Sequence, residues 1–198
     1  MMTKPILLHE SIGARTLNKH DQGHSLLELM AVVLIIIIIA ISTLPLLHEQ
    51  MAAREIDIMA RRFIAHAQFA RAQSLLLGAP VRITPLNGGL WEEGWVVKNV
   101  CDERQPQLSC TERHWISQGD LVQVYFKGGG KQFTDPHTSK RGILFNAAGA
   151  AKTAQGGFVA NRLILGHDRD SGLERQLILG SGGRWRICDP RKDSKACK

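Results

Sequence analysis

The sequence lacks the short motifs that mark common enzyme active sites. It contains no H-E-x-x-H zinc motif, no G-x-S-x-G nucleophile turn and no Walker A phosphate loop. Its 8 histidines are scattered without the spacing of metal ligands. Residues 168–170 read DRD, but the further ligands that a calcium loop requires are missing. We therefore expect no enzymatic activity, no metal site and no cofactor.

The chain also lacks the length for a second independent domain, and it shows no internal repeat. Its 198 residues, 44% of them hydrophobic, suffice for one domain with its own core plus an appendage. Lysine and arginine outnumber aspartate and glutamate by 25 to 18, which gives a formal net charge of +7 and a pI near 9.5. An anionic partner, nucleic acid or acidic lipid, is therefore favoured over a cationic one.

Charge is absent from one long stretch of the chain. Leu29 to Leu47 contains no Asp, Glu, Lys or Arg over 19 residues, which is enough for a helix that crosses a bilayer. A secretory signal would have a shorter apolar core, closer to the N-terminus. Here a polar segment precedes the apolar stretch. It is either a leader that is removed or the cytoplasmic tail of an uncleaved membrane anchor.

The junction between these two segments resembles a known processing site. Residues 23–30 read GHSLLELM, similar to the prepilin peptidase site of type IV pilins and type II secretion pseudopilins. The resemblance implies that residues 1–23 form a leader, that prepilin peptidase cuts between Gly23 and His24, and that residues 24–47 are the transmembrane and assembly segment. His24 departs from the family, in which phenylalanine or methionine usually begins the mature chain. Methylation of His24 is therefore left open.

Glu28 is a charged residue at the start of the apolar stretch, where burial in the membrane costs free energy. A carboxylate at the centre of a bilayer costs about 2.5–3.5 kcal/mol, so we expect a partner for it. Cleavage after Gly23 would place an ammonium group one helical turn before Glu28, within reach of an ion pair in the same or a neighbouring subunit. The resemblance implies that the intersubunit pair guides assembly with other pilins, and Pro45 matches the proline that commonly interrupts the pilin helix. The alternative is a carboxylate that reaches the lipid headgroups and has no role in assembly.

The segment after the apolar stretch has a helical pattern. Residues 48–77 combine helix formers with apolar residues at steps of three and four, which predicts an amphipathic continuation of the helix. Gly78 and Pro80 predict its end. The arginines of this segment, Arg71 among them, are expected on its solvated face.

Residues 80–198 change to short alternating runs between turn residues, which predicts a β-rich region. The predicted strands are 81–84, 95–100, 114–117, 121–126, 143–146, 158–165, 173–179 and 184–188. The predicted fold class is thus α+β, with a long N-terminal helix packed on antiparallel β-sheets.

The order of several short motifs resembles the FimT/GspH group of minor pilins and pseudopilins. The motifs are ARAQS at 70–74, PVRI at 80–83, GWVV at 94–97, ILFNAAG at 143–149 and GRWRIC at 183–188. The resemblance covers nearly all of the chain that would remain after cleavage. It implies a type IV pilin-like fold, other pilins as partners, and a single-pass anchor in inner-membrane lipid with residues 48–198 in the periplasm.

Cysteine is scarce, and its 4 copies form two pairs of equal spacing, Cys101 with Cys110 and Cys188 with Cys197. Export would place them in the oxidising periplasm, where two local disulfides are the simplest of the possible connectivities. A zinc site is disfavoured because neither pair has the close spacing of structural zinc ligands. A bridge at the second pair would join the polar C-terminal tail to the last strand.

The C-terminus carries the candidate binding site. Arg184 and Arg186 lie two apart on a predicted strand, so both side chains leave one face, while Trp185 and Ile187 point to the core. The last fifteen residues have a net charge of +4. Residues from Gly183 onward match the Gly-Arg-x-Arg motif that is associated with DNA binding during natural transformation in FimT-type minor pilins. The resemblance therefore implies DNA contacts at Arg184 and Arg186.

Charge and proximity extend this predicted DNA-binding surface to Arg191, Lys192 and Lys195. Backbone contacts would make binding weak and largely independent of sequence. The alternative is that the two strand arginines merely solubilise an edge strand. Two other functions also stay open: a GspH-like minor pseudopilin of type II secretion, and a minor pilin that primes pilus assembly without binding DNA.

Overall fold

The computed structural model describes residues 25–87, 89–101, 111–128, 133, 135, 141–152, 157, 160–180, 182–195 and 197. The chain divides into two compact units, the first ending at Thr43 and the second beginning at Leu44. The predicted cleavage site, Gly23 and His24, lies outside the described residues, and so does Cys110.

Helix α1 spans Leu26–Leu77, and its sequence explains where it starts. The Ser25 hydroxyl accepts a hydrogen bond from the Glu28 backbone N–H at 3.2 Å, in the S-x-x-E pattern of a capping box. In the first unit the large apolar side chains of α1 are exposed, from 48% at Val32 to 78% at Leu26. By length and composition this helix can cross a membrane.

In the second unit α1 buries one face. Ile56 and Phe63 are fully buried. Four buried alanines on the same face allow a close approach to the sheets: Ala52, Ala60, Ala67 and Ala70. Gly78 follows the helix at φ +59°, the left-handed conformation of the capping glycine that the sequence predicts.

Nine strands lie in the described part of the chain, and all their pairings are antiparallel. They are β1 Val81–Pro85, β2 Trp95–Asn99, β3 His114–Gln118, β4 Val124–Phe126, β5 Ile143–Phe145, β6 Ala151–Lys152, β7 Asn161–His167, β8 Asp170–Leu179 and β9 Trp185–Cys188. Sheet A has the order β3-β2-β1-β5-β6, and sheet B has the order β4-β7-β8-β9. A short 3-10 helix, Trp91–Glu93, precedes β2.

The α+β class with a long N-terminal helix on antiparallel sheets is confirmed, and most predicted strands are present with shifted ends. β7 is displaced towards the C-terminus relative to the predicted 158–165, and β8 begins three residues before the predicted 173. The prediction of strand from residue 121 is wrong, because the Leu121 N–H donates to the Glu92 carbonyl at 2.9 Å and β4 begins only at Val124. β6 was not predicted, because a strand of two residues is too short to show an alternation of apolar and polar side chains.

The core of the second unit is centred on Phe63. Its ring meets four aromatic rings nearly edge-on, at centroid distances from 5.0 to 5.8 Å. These rings belong to Trp91, Trp95, Phe126 and Trp185. The core therefore joins α1 to both sheets, and β9 takes part in it through Trp185.

Polar contacts also join α1 to sheet B. The Arg175 Nε donates to Asp57 at 2.6 Å. The fully buried His167 accepts the Arg169 N–H at its Nδ1, at 3.2 Å, so its Nε2–H donates to Glu55 at 2.8 Å. Since Arg175 and His167 are buried, these bonds fix the position of sheet B against the helix.

Candidate functional site

The two arginines of the Gly-Arg-x-Arg motif lie at the β8–β9 hairpin. The Gly180 N–H donates to the Arg184 carbonyl at 2.9 Å, which closes the turn, and the register pairs Ile178 with Arg186. Arg184 and Arg186 are exposed, whereas Trp185 is half-buried and packs against the core. The predicted alternation of exposed and core-facing side chains is confirmed. Arg186 lies on the outer face of sheet B, and Arg184 directly precedes β9.

Gly183 shapes the turn that precedes these arginines. Its φ of +75° is one that residues with a side chain rarely adopt. A Cβ atom at this position would lie 3.1 Å from the Arg71 Nε and 3.3 Å from the Gly149 carbonyl oxygen. The motif glycine thus has a structural reason, because both its φ and these close contacts disfavour a side chain in the turn that precedes Arg184.

Arg71 holds that turn against α1. Its Nε donates to the Gly149 carbonyl at 2.9 Å, and its Nη1 donates to the Gly183 carbonyl at 3.3 Å. The expectation that Arg71 lies on a solvated face is therefore wrong, because its guanidinium satisfies two turn carbonyls in a half-buried site. No local pattern marks this role, since both acceptors are distant in sequence.

The C-terminal tail is closed by a disulfide. The structure contains the bond between Cys188 and Cys197, and the two cysteines are 5% and 6% exposed. The bond returns the tail to the end of β9. The other predicted pair, Cys101 with Cys110, stays a prediction because Cys110 lies outside the described residues.

Two aspartates give the tail its local structure. Asp189 Oδ1 accepts the Arg191 backbone N–H at 3.0 Å, and Asp193 Oδ1 accepts the Lys195 backbone N–H at 3.0 Å. These are Asx turns, in which an aspartate side chain replaces a backbone acceptor. Lys192 and Lys195 are exposed within this turn structure.

Arg191 forms an ion pair with Asp170. Its Nη2 donates to both carboxylate oxygens of Asp170, at 2.9 and 2.8 Å. The Arg191 guanidinium, followed by the Gly172 N–H, holds the pKa of Asp170 below its ordinary value. The charge of Arg191 is thus largely matched, so it contributes less to a positive surface than Lys192 or Lys195.

β7 adds an arginine that sequence reasoning missed. The register pairs Arg162 with Ile178 and Ile178 with Arg186, so the three side chains lie on one face of sheet B. Arg162 is exposed. It is far from Arg186 in sequence, and only the β7–β8–β9 register brings the two together. The alternation around Arg162 predicts an outward side chain but not its neighbours.

A groove runs between α1 and β9 beside this face. Its two parts have volumes of about 500 and 420 Å³ and share Gln68 and Trp185. Arg71 and Arg184 line the first part, and Arg61 lines the second. The basic surface therefore continues from β9 towards α1. Guanidinium groups bind anions through charge and through paired N–H donors.

The fold defines the class of this protein. An N-terminal helix whose first part is apolar and exposed, followed by antiparallel sheets packed on the rest of the helix, is the fold of a minor type IV pilin or pseudopilin. The family model described as "Type II transport protein GspH" matches residues 59–183, which is more than half of the chain. The chain belongs to the GspH family. The match ends at Gly183, so the basic C-terminus lies beyond it.

Two solved structures are similar to the chain. The type IV minor pilin FimU of Pseudomonas aeruginosa PAO1 has 14% sequence identity and a TM-score of 0.49, over 68% of this chain and 89% of that one. The minor pseudopilin EpsH from the type 2 secretion system of Vibrio cholerae has 10% identity and a TM-score of 0.46, over 69% of this chain and 98% of that one. Comparison with the curated proteins gives no significant match.

Proposed function

We propose that this chain is a minor type IV pilin that binds double-stranded DNA without sequence preference during DNA uptake in natural transformation. The observation that carries the proposal is the exposure of two arginines that lie two residues apart, Arg184 directly before β9 and Arg186 within it. Lys192 and Lys195 follow in the disulfide-closed tail and are also exposed. We call these four side chains the C-terminal basic face.

The chemistry of this face suits the phosphate backbone. Each arginine offers a planar fork of N–H donors that fits phosphate oxygens, and each lysine adds a point charge. Contacts to phosphates carry no sequence information, so one face can bind any duplex. If all four cations neutralise phosphates, the slope of log affinity against log salt concentration is about −3.6.

The N-terminal segment gives this face its cellular setting. The exposed apolar part of α1 fits a single-pass membrane anchor. We place that anchor in the bacterial inner membrane, with residues 48–198 in the periplasm, after prepilin peptidase has cut between Gly23 and His24. Glu28 then pairs with a neighbouring pilin during assembly into a filament.

Binding of labelled duplex DNA to the full chain in non-ionic detergent, followed by fluorescence anisotropy, tests the proposal. The variant Arg184→Gln with Arg186→Gln should bind roughly thirtyfold more weakly, because two exposed charge contacts of about 1 kcal/mol each are lost. A matched control, Arg54→Gln with Arg113→Gln, removes the same charge from exposed positions outside the face. Equal affinity of the wild type and the Arg184/Arg186 variant would overturn the proposal.

A minor pseudopilin of type II secretion is the second candidate. The description of the matching family, which names type II transport, favours it. Contact with other pseudopilins does not require a basic C-terminus, whereas DNA binding does. A deletion strain scored for transformation, pilus-dependent motility and protein secretion separates the functions. Loss of transformation with pili retained supports DNA binding, loss of secretion supports the pseudopilin, and loss of pili supports a priming role.

A further inference from the structure

We propose that Arg162 is a further phosphate-binding residue of the same surface, held in place by the Cys188–Cys197 loop. The inference rests on the proposed DNA-binding function and extends it from β9 across the sheet to β7. Arg162, Ile178 and Arg186 form one row over three strands, with an arginine at each end. Adjacent strands lie about 4.8 Å apart, so the Cα atoms of the two arginines are about 10 Å apart.

The spacing of the three arginines suits a nucleic-acid backbone. Arg184 directly precedes β9 and Arg186 lies within it. Extended chain rises about 3.3 Å per residue, so their Cα atoms are at most about 7 Å apart. Phosphates rise about 3.4 Å per nucleotide along one DNA strand, so side chains at these separations reach phosphates about two or three nucleotides apart. Arg162 thus extends the phosphate-binding surface across sheet B, from β9 to β7.

The Arg162 guanidinium is oriented before any ligand binds. Its Nη1 donates to the Gln176 Oε1 at 3.2 Å and to the Cys197 carbonyl oxygen at 3.2 Å. A guanidinium carries five N–H donors in about one plane, and these two bonds use those of Nη1 alone. Because the side chain is restricted and still exposed, less conformational entropy is lost when it binds a phosphate.

The disulfide supplies the acceptor that orients Arg162. Cys197 is joined to Cys188, and Cys188 pairs with Gln176 in the β8–β9 register. One acceptor of Arg162 is thus on β8 and the other is joined to the end of β9, the strand that carries Arg186. Opening the disulfide would release the Cys197 carbonyl and loosen Arg162 without removing any positive charge.

DNA binding by the full chain in detergent, measured with a labelled duplex over a range of salt concentrations, tests the inference. Arg162→Gln should lower the affinity about fivefold and reduce the salt slope by about 0.9, because one phosphate contact is lost. Arg113→Gln, an exposed arginine beside β3, is the control and should leave both values unchanged. If Arg162→Gln behaves as Arg113→Gln does, the inference is overturned.

A role limited to anchoring the tail predicts a different pattern. In that case Arg162 acts only through Lys192 and Lys195, and Arg162→Gln has no effect in a chain that already carries Lys192→Gln and Lys195→Gln. We expect the fivefold loss to persist in that background, since a direct contact does not need the lysines.

The disulfide is tested with Cys188→Ser and Cys197→Ser together, which leaves the other two cysteines intact. This variant should bind severalfold more weakly with a salt slope close to that of the wild type, and unchanged affinity would overturn the role of the loop. The two proposals fail in distinguishable ways. If the wild type binds no DNA, both proposals are refuted. If the Arg184/Arg186 variant binds DNA more weakly while Arg162→Gln binds with wild-type affinity, only the proposal for Arg162 is refuted.

Discussion

Replacing Gly183 with alanine should lower the free energy of unfolding of the second unit by about 2–3 kcal/mol. The backbone at Gly183 has φ +75°, where an L-residue costs roughly 1–2 kcal/mol. The added Cβ would lie 3.1 Å from the Arg71 Nε, so the guanidinium must shift. Its bonds to the Gly149 and Gly183 carbonyls then lengthen, and a weakened hydrogen bond of this kind accounts for about 1 kcal/mol more.

Urea unfolding of the fragment Leu44–Lys198, followed by tryptophan fluorescence, measures this loss. Gly182→Ala is the matched control, because Gly182 is exposed, lies in the same turn, and a Cβ added there would have no neighbouring atom within 4 Å. It should change the free energy of unfolding by less than about 0.5 kcal/mol. In an Arg71→Ala background, the cost of Gly183→Ala should fall towards its backbone part, since the crowded contact is gone. Equal stability of the Gly182 and Gly183 variants would refute the reasoning. If the losses from Gly183→Ala and Arg71→Ala simply add in the double variant, the added Cβ does not act through Arg71.

Two further predictions concern titration and buried charge in the second unit. His66 Nδ1 accepts a hydrogen bond from the Trp95 indole at 3.0 Å, and burial, followed by the nearby Arg62 charge, lowers the pKa of His66 below its ordinary value of 6.5. The unfolded chain then binds more protons just below pH 6.5, so this contribution to stability is complete above that pH and declines as the pH falls through it. His66→Gln keeps a hydrogen-bond acceptor for the Trp95 indole but does not titrate. Its urea midpoint should therefore vary less than that of the wild type between about pH 5 and 7. The same dependence of the urea midpoint on pH in both chains would contradict this. Arg175, 5% exposed, pairs with Asp57 at 2.6 Å and with Asp189 at 3.0 Å, so Arg175→Met should lower the free energy of unfolding. An unchanged urea midpoint would show that these pairs do not stabilise the fold. We expect a loss of about 2–3 kcal/mol, because a half-buried carboxylate is left without its partner.

Much of the fold could be predicted because its signals are local. The alternation from Arg184 to Ile187 predicted correctly which of these side chains face the core and which face solvent. Gly78 marked the end of α1, because a left-handed cap favours glycine wherever it occurs. Strand ends were less predictable. β4 is short because a backbone contact of Leu121 with Glu92 takes residues out of the sheet.

The site could be predicted only where its residues are neighbours in sequence. Arg191 was grouped with Lys192 by proximity, but the fold brings Asp170 against it and matches its charge. Arg71 has the sequence pattern of a surface residue, but in the fold it donates hydrogen bonds to the carbonyls of Gly149 and Gly183. Arg162 joins Arg186 only through strand register. Each of these contacts depends on tertiary packing, which no periodicity within one segment encodes.

The central claim is that the C-terminal basic face binds phosphates through Arg184 and Arg186, and the salt dependence of DNA binding tests it most directly. Binding of duplex DNA is measured over a series of salt concentrations for the wild type and for Arg184→Gln with Arg186→Gln. The account predicts that the log–log slope of the variant is shallower than that of the wild type by about 1.8, since two phosphate contacts are lost. The same slope and affinity in both chains would contradict it.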